Sequence, residues 1–354
     1  MKTKIAAGFS ILLGLVTALA LFAWYWMGQP TYRPTMVPGE ALLQPPPQTA
    51  GGDYWAMAPN VRLYHYADGQ GPNVLVVHGG PGYPMHDPPP GLHALAKEHR
   101  FQYYDQRGCG NSTRPVDRFV SGNFYQNSLA LSAALGIGAQ VADIERIRRI
   151  LNEDKLVLLG HSFGGFLAAM YAAEFPQHVK QLVLVAPADV LVFPQKGGGV
   201  FEQVRASLAP GQRGAYSAFV THYLDFRNVF AMSESELAAM NTEFARYYRI
   251  GAAARAVPLP AGGAGLGAGG WMVQAMYLDM GRWHDYRDPL RKVTAPVLVV
   301  HGGGDFQTEA ESRAYAECFP HARFAVIPNG GHFPFTEKPD EFAALTGAFL
   351  REPD

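Results

Sequence analysis

The chain has 354 residues, of which 48% are hydrophobic and 17% are charged, and its formal net charge at pH 7 is −1. This composition supports a large buried core and excludes a disordered chain. The near-neutral charge excludes the basic surface that binding to nucleic acid requires. The two cysteines, Cys109 and Cys318, lack the spacing of metal ligands. We therefore predict two free thiols, no metal site and no cofactor.

The first predicted element is an uncharged apolar run of 23 residues, Ile5–Met27, which follows Lys2 and Lys4. At a rise of about 1.5 Å per residue, such a helix can span the roughly 30 Å hydrocarbon core of a bilayer. Positive charge before the run predicts that the N-terminus stays inside the cytoplasm. We therefore predict a transmembrane signal anchor over residues 1–28, with the folded part in the periplasm or outside the cell. The alternative is a secreted protein, released by cleavage near Ala18–Ala20.

A proline-rich linker is predicted over residues 29–52, between the anchor and the folded part. The first buried strand is predicted over Asn73–His78, and the second over Phe101–Asp105. The first strand leads into the loop His78–Gly82, which reads His-Gly-Gly-Pro-Gly. Backbone N–H groups of a loop in this position can stabilise an oxyanion, and we predict that Gly80 donates one of them.

A helix predicted over Val141–Leu151 precedes the next strand, residues 156–160, which ends at a serine held between glycines. The pattern is Gly-x-Ser-x-Gly, centred on Ser162, and a helix-forming run over residues 165–174 follows it. A strand that turns sharply into a helix exposes its turn residue at the carboxyl edge of the sheet, and flanking glycines avoid clashes there. We therefore predict that Ser162 is a nucleophile, with the N–H of Phe163 as the second oxyanion donor.

The remaining elements divide the folded part into a core and an insertion. A strand over Leu182–Val185 belongs to the first part of the core, residues 53–190. Residues 191–286 contain helical segments but no convincing buried strand, and we predict that they form a helical cap. The core resumes over residues 287–354, with further elements predicted at Pro296–Val300, Phe324–Ile327 and Pro339–Leu350. Strands that alternate with helices predict an α/β fold with a mostly parallel, doubly wound sheet and a ligand site at its carboxyl edge.

Two of these strand ends carry the partners that a serine nucleophile needs. Asp305 follows the strand predicted over Pro296–Val300, and His332 follows the strand predicted over Phe324–Ile327. The chain order serine, acid, histidine is the order that this chemistry has in doubly wound folds. We predict that His332 takes the proton from Ser162 and that Asp305 orients the imidazole and stabilises the imidazolium.

Other histidines and acids near these strands are weaker candidates for the same roles. His301 lies inside the turn that leads to Asp305, and His321 precedes a strand, at the opposite edge of the sheet. Glu309 and Glu311 lie beyond the loop, on a predicted helix.

Three motifs together resemble the α/β-hydrolase fold and, more narrowly, the proline iminopeptidase family of serine peptidases. They are His78–Gly82, Tyr104–Ser112 (Tyr-Asp-Gln-Arg-Gly-Cys-Gly-Asn-Ser) and Gly160–Gly165 (Gly-His-Ser-Phe-Gly-Gly). The resemblance covers residues 60–190 and 290–350. It implies the triad and the oxyanion donors named above, and it implies that Asp105–Ser112 supports the site structurally. Within that stretch we expect Asp105 and Arg107 to form an internal ion pair.

The cap departs from this resemblance. The family typically holds the free amino terminus of its substrate with cap glutamates, one of them in a Trp-x-x-Trp-Glu motif that is absent here. The corresponding region is Tyr216–Asp225. The acids that the cap offers instead are Glu202, Asp225, Glu234, Glu236 and Glu243.

The sequence therefore predicts a membrane-anchored serine hydrolase that cleaves an amide or an ester of a small molecule or short peptide through an acyl-enzyme. A proline iminopeptidase-like aminopeptidase is the main prediction. A carboxylesterase or lactonase that acts on an apolar ester is the alternative, because the cap is rich in aromatic residues and methionine. A non-catalytic binding module on the same fold would predict a broken triad, and the sequence has every triad member.

Overall fold

The computed structural model describes residues 14–19, 21–22, 24–25, 28–34, 44–195, 199–225, 228–255, 259 and 267–353. Among these residues, no helix combines the length and the hydropathy that crossing a membrane requires. The predicted span Ile5–Met27 lies partly outside the described residues, and the structure gives it no support.

Most of the strands form one large sheet. The strands are β1 Tyr54–Ala58, β2 Val61–Gly69, β3 Asn73–Val77, β4 Arg100–Tyr104, β5 Leu156–His161, β6 Val179–Val185, β7 Val192–Phe193, β8 His284–Asp285, β9 Val297–Gly302 and β10 Ala322–Ile327. Within the described chain, eight of them pair in the order β1-β2-β4-β3-β5-β6-β9-β10. The pairings from β4 to β10 are parallel, whereas β2 runs antiparallel to β1 and β4. The mostly parallel sheet predicted from the sequence is therefore confirmed.

Helices cover both faces of this sheet. From residue 44 onward, the α-helices of the described chain, those of the sheet layers and of the cap together, are α1 Pro90–His93, α2 Phe124–Leu135, α3 Ile137–Ile150, α4 Phe163–Glu174, α5 Gly199–Ser207, α6 Pro210–Tyr223, α7 Glu234–Ala254, α8 Trp271–Met280, α9 Arg287–Leu290, α10 Glu309–Ala316, α11 Pro334–Glu337 and α12 Pro339–Leu350. On one face, Ile144 of α3 and Phe166 of α4 pack in a cluster that includes Leu158 of β5. On the other face, Phe342 of α12 packs in a cluster that includes Leu159. Consecutive residues of β5 thus face opposite layers, which explains why its sequence is apolar over Leu156–Leu159.

The chain leaves the sheet after β6 and returns to it at β9. Helices α5 to α8 lie in this excursion, which contains the predicted cap, residues 191–286. The cap was predicted without a buried strand, but β7 and β8 form a short antiparallel pair near its two ends. Two-residue strands give too short a pattern to be recognised from sequence. The division of the chain into core and cap domains stays a prediction.

The predicted linker packs in part against the folded domain. Tyr32 is buried, and its hydroxyl donates to the Glu174 carboxylate at 3.2 Å. The hydroxyl of Thr31 donates to the Asp279 carboxylate at 2.6 Å. Residues 28–34 therefore belong to the packed surface of the domain, while residues 35–43 of the predicted linker lie outside the described residues.

Candidate active site

Ser162 occupies a sharp turn between β5 and α4. Its backbone has φ 53° and ψ −122°, a conformation that costs a residue with a Cβ of the order of 1–3 kcal/mol. The flanking glycines are required, because a Cβ at Gly160 would lie 2.4 Å from the carbonyl oxygen of Gly164. A Cβ at Gly164 would lie 2.0 Å from the carbonyl oxygen of Val77 in β3. The packing of α4 against β3 and β5 therefore fixes this turn at the carboxyl edge of the sheet.

His332 and Asp305 form a buried pair at the same edge. His332 Nδ1 donates to Asp305 Oδ2 at 2.8 Å, and the Gln307 backbone N–H donates to Asp305 Oδ1 at 3.1 Å. Burial alone would lower the pKa of His332, but the charge and the hydrogen bond of Asp305, with the charge of Glu337, outweigh burial and raise it. The pair leaves Nε2 as the nitrogen available for proton transfer, which is the arrangement that a general base needs.

Glu337, in α11, holds the loop that carries His332. One carboxylate oxygen accepts the backbone N–H of Phe333 at 2.9 Å, and the other accepts the N–H of Gly331. The two residues on either side of His332 are thus bonded to one carboxylate. Burial raises the pKa of Glu337. The sequence analysis did not identify this residue, although its position five residues after the predicted base was an available signal.

A second histidine, His161, supports the same loop from β5. Its Nε2 donates to the carbonyl oxygen of His332 at 2.8 Å. Burial, followed by the charge of His332, lowers the pKa of His161 well below its ordinary value, so the ring stays neutral. His161 therefore fixes the distance between β5 and the His332 loop without contributing a charge.

The loop after β3 lies directly against Ser162. A Cβ at Gly79 would lie 2.8 Å from the Cβ of Ser162, and Gly80 has a φ of 124°. The backbone N–H groups of Gly80 and Phe163, the two predicted oxyanion donors, have no protein acceptor among the hydrogen bonds of the described residues. Both groups are therefore free to bind a ligand oxygen.

His78 connects this loop to the neighbouring one. Its Nδ1 donates to the carbonyl oxygen of Gly79 at 3.0 Å, and its Nε2 accepts the backbone N–H of Gln106 at 3.0 Å. Burial lowers the pKa of His78 to about 4, which keeps the ring neutral, as these two roles require. The side chain of Gln106 returns a hydrogen bond to the carbonyl oxygen of His78 at 2.7 Å. The motif Tyr104–Ser112 thus supports the oxyanion loop.

The expected ion pair between Asp105 and Arg107 is wrong. Arg107 makes a two-pronged contact with the Asp143 carboxylate, with Nε to Oδ2 at 2.8 Å and Nη2 to Oδ1 at 2.5 Å. The Asp105 carboxylate instead accepts the backbone N–H of Asn111 at 2.7 Å. The chain leaves the extended conformation after β4, and the partner of Arg107 comes from α3, which the motif does not include.

The weaker candidates for acid and base have other partners. His301 Nδ1 contacts the Ser312 hydroxyl at 3.0 Å, and His321 is exposed before β10. Glu309 pairs with Arg313, whereas Glu311 accepts the backbone N–H of Thr308 at 2.8 Å in a helix cap.

The predicted cap acids are also engaged elsewhere. Glu234 is buried and accepts the backbone N–H groups of Gly270 and Trp271 at the start of α8, and it pairs with Arg114. The other four are exposed or partly exposed and make local contacts: Glu202 with Arg205, Asp225 with Asn228, Glu236 with Ser233 and Arg118, and Glu243 with Arg246. The cap acids thus serve helix ends and surface pairs.

Asp189 is an acid that the sequence analysis did not identify. It follows β6, and the backbone N–H of its neighbour Ala188 donates to the carbonyl oxygen of Ser162 at 3.0 Å. Asp189 is only 7% exposed. Its position just beyond a parallel strand was the same signal that identified Asp305 and His332.

Comparison with known proteins identifies the family. A family profile described as alpha/beta hydrolase fold matches residues 72–339. The chain is 27% identical to the proline iminopeptidase of Heyndrickxia coagulans, over 80% of this chain and 92% of that relative. It is 26% identical to the pimeloyl-[acyl-carrier protein] methyl ester esterase of Nitrosospira multiformis, over 82% of this chain and 99% of that relative. The crystal structure of the enol-lactonase from Burkholderia xenovorans LB400 shares the fold, with a TM-score of 0.54 and 18% identity. The match covers 84% of this chain and 100% of that enzyme.

Proposed function

Since this chain belongs to the alpha/beta-hydrolase fold family, we propose that it is a serine hydrolase in which Ser162 is the nucleophile, His332 the general base and Asp305 the orienting acid. The observation that carries this proposal is the position of Ser162, in a strained turn next to two unoccupied N–H donors. The buried hydrogen bond between His332 and Asp305 supports the other two roles. These are the parts that acyl transfer needs.

The reaction proceeds in two halves. Ser162 Oγ attacks the carbonyl carbon of the scissile bond while His332 Nε2 accepts the hydroxyl proton. The N–H groups of Gly80 and Phe163 bind the oxyanion of the tetrahedral intermediate. The intermediate expels the leaving group, which takes the proton from His332, and an acyl ester of Ser162 remains. Water then gives a proton to His332 as it attacks the carbonyl carbon of this ester. The second tetrahedral intermediate releases the carboxylic acid product, and His332 returns the proton to Ser162 Oγ.

The substrate class proposed first is an N-terminal residue of a short peptide, as in a proline iminopeptidase. The similarity to proline iminopeptidases along nine-tenths of their length supports it. A carboxylesterase or lactonase is the second candidate. Two observations favour this second candidate. The predicted cap acids are engaged in other contacts, and aromatic rings such as Phe201, Tyr223 and Tyr277 pack together in the cap.

One comparison of substrates tests this assignment. The purified protein is assayed with a prolyl arylamide and with a short-chain aryl ester, and Ser162→Ala is assayed beside it. Cleavage of the prolyl arylamide that is lost in Ser162→Ala supports the aminopeptidase. Cleavage of the ester alone, again lost in the variant, supports the second candidate. A protein that does not react with a fluorophosphonate probe, or whose Ser162→Ala variant reacts equally, contradicts the serine hydrolase itself.

We further propose that residues 1–28 form a membrane anchor that holds the catalytic part, with its cap over residues 191–286, outside the cytoplasm. The support is the uncharged run Ile5–Met27 that follows two lysines. Membrane fractionation of the full chain and of a chain lacking residues 1–28 tests the anchor: recovery of the full chain in the soluble fraction contradicts it.

A further inference from the structure

A buried carboxylate lies beside the proposed nucleophile. Asp189 is one residue from Ala188, whose N–H is bonded to the carbonyl oxygen of Ser162. In the sheet, β6 is paired with β5 on one side and β9 on the other, so Asp189 emerges between the strand ends that carry Ser162 and Asp305. Asp189 thus lies in a loop at the carboxyl edge of the sheet, next to the residue that is bonded to the turn of Ser162.

One oxygen of this carboxylate has no partner. Asp189 Oδ2 is buried, and no hydrogen bond or ion pair of the described residues includes it. The residue facing it is Gly199, where an added Cβ would lie 2.9 Å from Oδ2. An unpaired carboxylate oxygen in a buried position is costly unless a cation or a donor is bound there. A Cβ at Gly199 would also lie 2.4 Å from the side-chain oxygen of Gln195, so two side-chain oxygens line the position that Gly199 keeps free of a side chain.

The surroundings of Asp189 are electrostatically negative. Burial and then the charge of Glu311 raise the pKa of Asp189 to about 7, with a further contribution from Asp305 and an opposing one from the Val200 N–H. The charge of Asp189 in turn helps to raise the pKa of His332. A cation that binds beside Asp189 would relieve this repulsion and keep the carboxyl group ionised.

We propose that Asp189 binds the protonated amino group of the acyl residue that Ser162 attacks, so that the enzyme selects substrates with a free amino terminus. This inference rests on the serine hydrolase function proposed above. In an N-terminal residue the amino nitrogen is only two bonds from the carbonyl carbon. Its counter-ion must therefore lie close to the nucleophile, and Asp189 follows β6, the strand that is paired with the strand of Ser162. A simple acyl ester would bring no cation to this carboxylate.

Two pairs of matched substrates test the role of Asp189. Each pair carries the acyl group of proline or of cyclopentanecarboxylic acid, which has the same ring with carbon in place of the amine. One pair consists of arylamides and the other of phenyl esters. The ratio of kcat/KM for the proline and the cyclopentane substrate measures recognition of the amino group. We expect this ratio to be about 100 or more for the unaltered protein and to fall at least about 30-fold in Asp189→Asn. The matched control, Glu243→Gln, removes an exposed cap acid and should keep the ratio.

The outcomes separate this inference from the proposed function. A ratio near one in the unaltered protein, or an unchanged ratio in Asp189→Asn, overturns the role of Asp189 even if both substrates are cleaved. Cleavage of the esters without the arylamides contradicts the aminopeptidase, yet the ester pair still measures the amino-group preference. If Asp189→Asn does not fold, Gly199→Ala covers Oδ2 from the other side, and loss of the preference there supports the proposal whereas its retention overturns it.

Discussion

The substitution Glu337→Gln tests how the loop of the proposed base is held in place. The carboxylate accepts two backbone N–H groups, those of Gly331 and Phe333, on either side of His332. Glutamine has one acceptor oxygen, so one of these N–H groups would face an amide NH2 instead. Leaving a partly buried donor unsatisfied costs about 1–3 kcal/mol, and each 1.4 kcal/mol is a factor of ten. We therefore expect kcat/KM to fall by about 10- to 100-fold, mainly through kcat.

The pH profile separates this effect from a loss of folding. Glu337 contributes to the raised pKa of His332, and the base acts only in its neutral form. Loss of the negative charge should lower that pKa and move the acid limb of kcat/KM to lower pH. Glu341→Gln, an exposed change in the first turn of α12, should leave both the rate and the profile within about twofold. A Glu337→Gln variant with an unchanged acid limb and a kcat within threefold would refute the positioning role.

Three further predictions test other parts of the structure. Asp305→Asn should lower kcat by about 10⁴-fold and move the acid limb to lower pH, because the aspartate orients and charges His332; a loss below tenfold in steady-state assays would contradict its role. Gly164→Ala places a Cβ against the backbone carbonyl oxygens of Val77 and His78, and urea unfolding should show a loss of stability of more than about 3 kcal/mol. Gly214→Ala is the matched control, because this position on α6 lies in open space. It should stabilise the fold by about 0.5–1 kcal/mol in the same assay. Asp143→Asn leaves two buried guanidinium groups without their carboxylate and should cost about 3–5 kcal/mol in the same assay, and a loss under 1 kcal/mol would contradict this.

The sequence predicted the elements whose residues are uniformly apolar or strictly patterned. Strands β3, β5 and β9 and helix α12 were found within one or two residues because fully buried strands and an amphipathic helix bounded by proline have clear local signals. Strands β1 and β2 were missed. They form the antiparallel edge of the sheet, and their alternation of buried and exposed residues is broken by half-buried aromatics and by a bulge.

The sequence predicts residues that follow their own strand more readily than contacts that a distant element supplies. Ser162, Asp305 and His332 were predicted because each follows an apolar strand of a parallel sheet, and their catalytic roles stay a prediction. The partner of Arg107 was misassigned because Asp143 comes from a helix 36 residues away, and no local pattern encodes that distance. Asp189 follows the same strand-end rule as the predicted residues. It was missed because the serine chemistry needed only one acid.

The sheet order explains why the base needs more support than the nucleophile. β10 is separated from β5 by β6 and β9, so His332 starts three strand spacings, or about 14 Å, from the strand that carries Ser162. Its loop must cross the end of β9, and the crossing is tight, since a Cβ at Gly302 would lie 1.9 Å from the carbonyl oxygen of Gly331. A loop stretched over two strands has few backbone partners of its own. The bond from His161 and the two bonds to Glu337 hold this loop from other elements, so removal of the Glu337 carboxylate should displace His332.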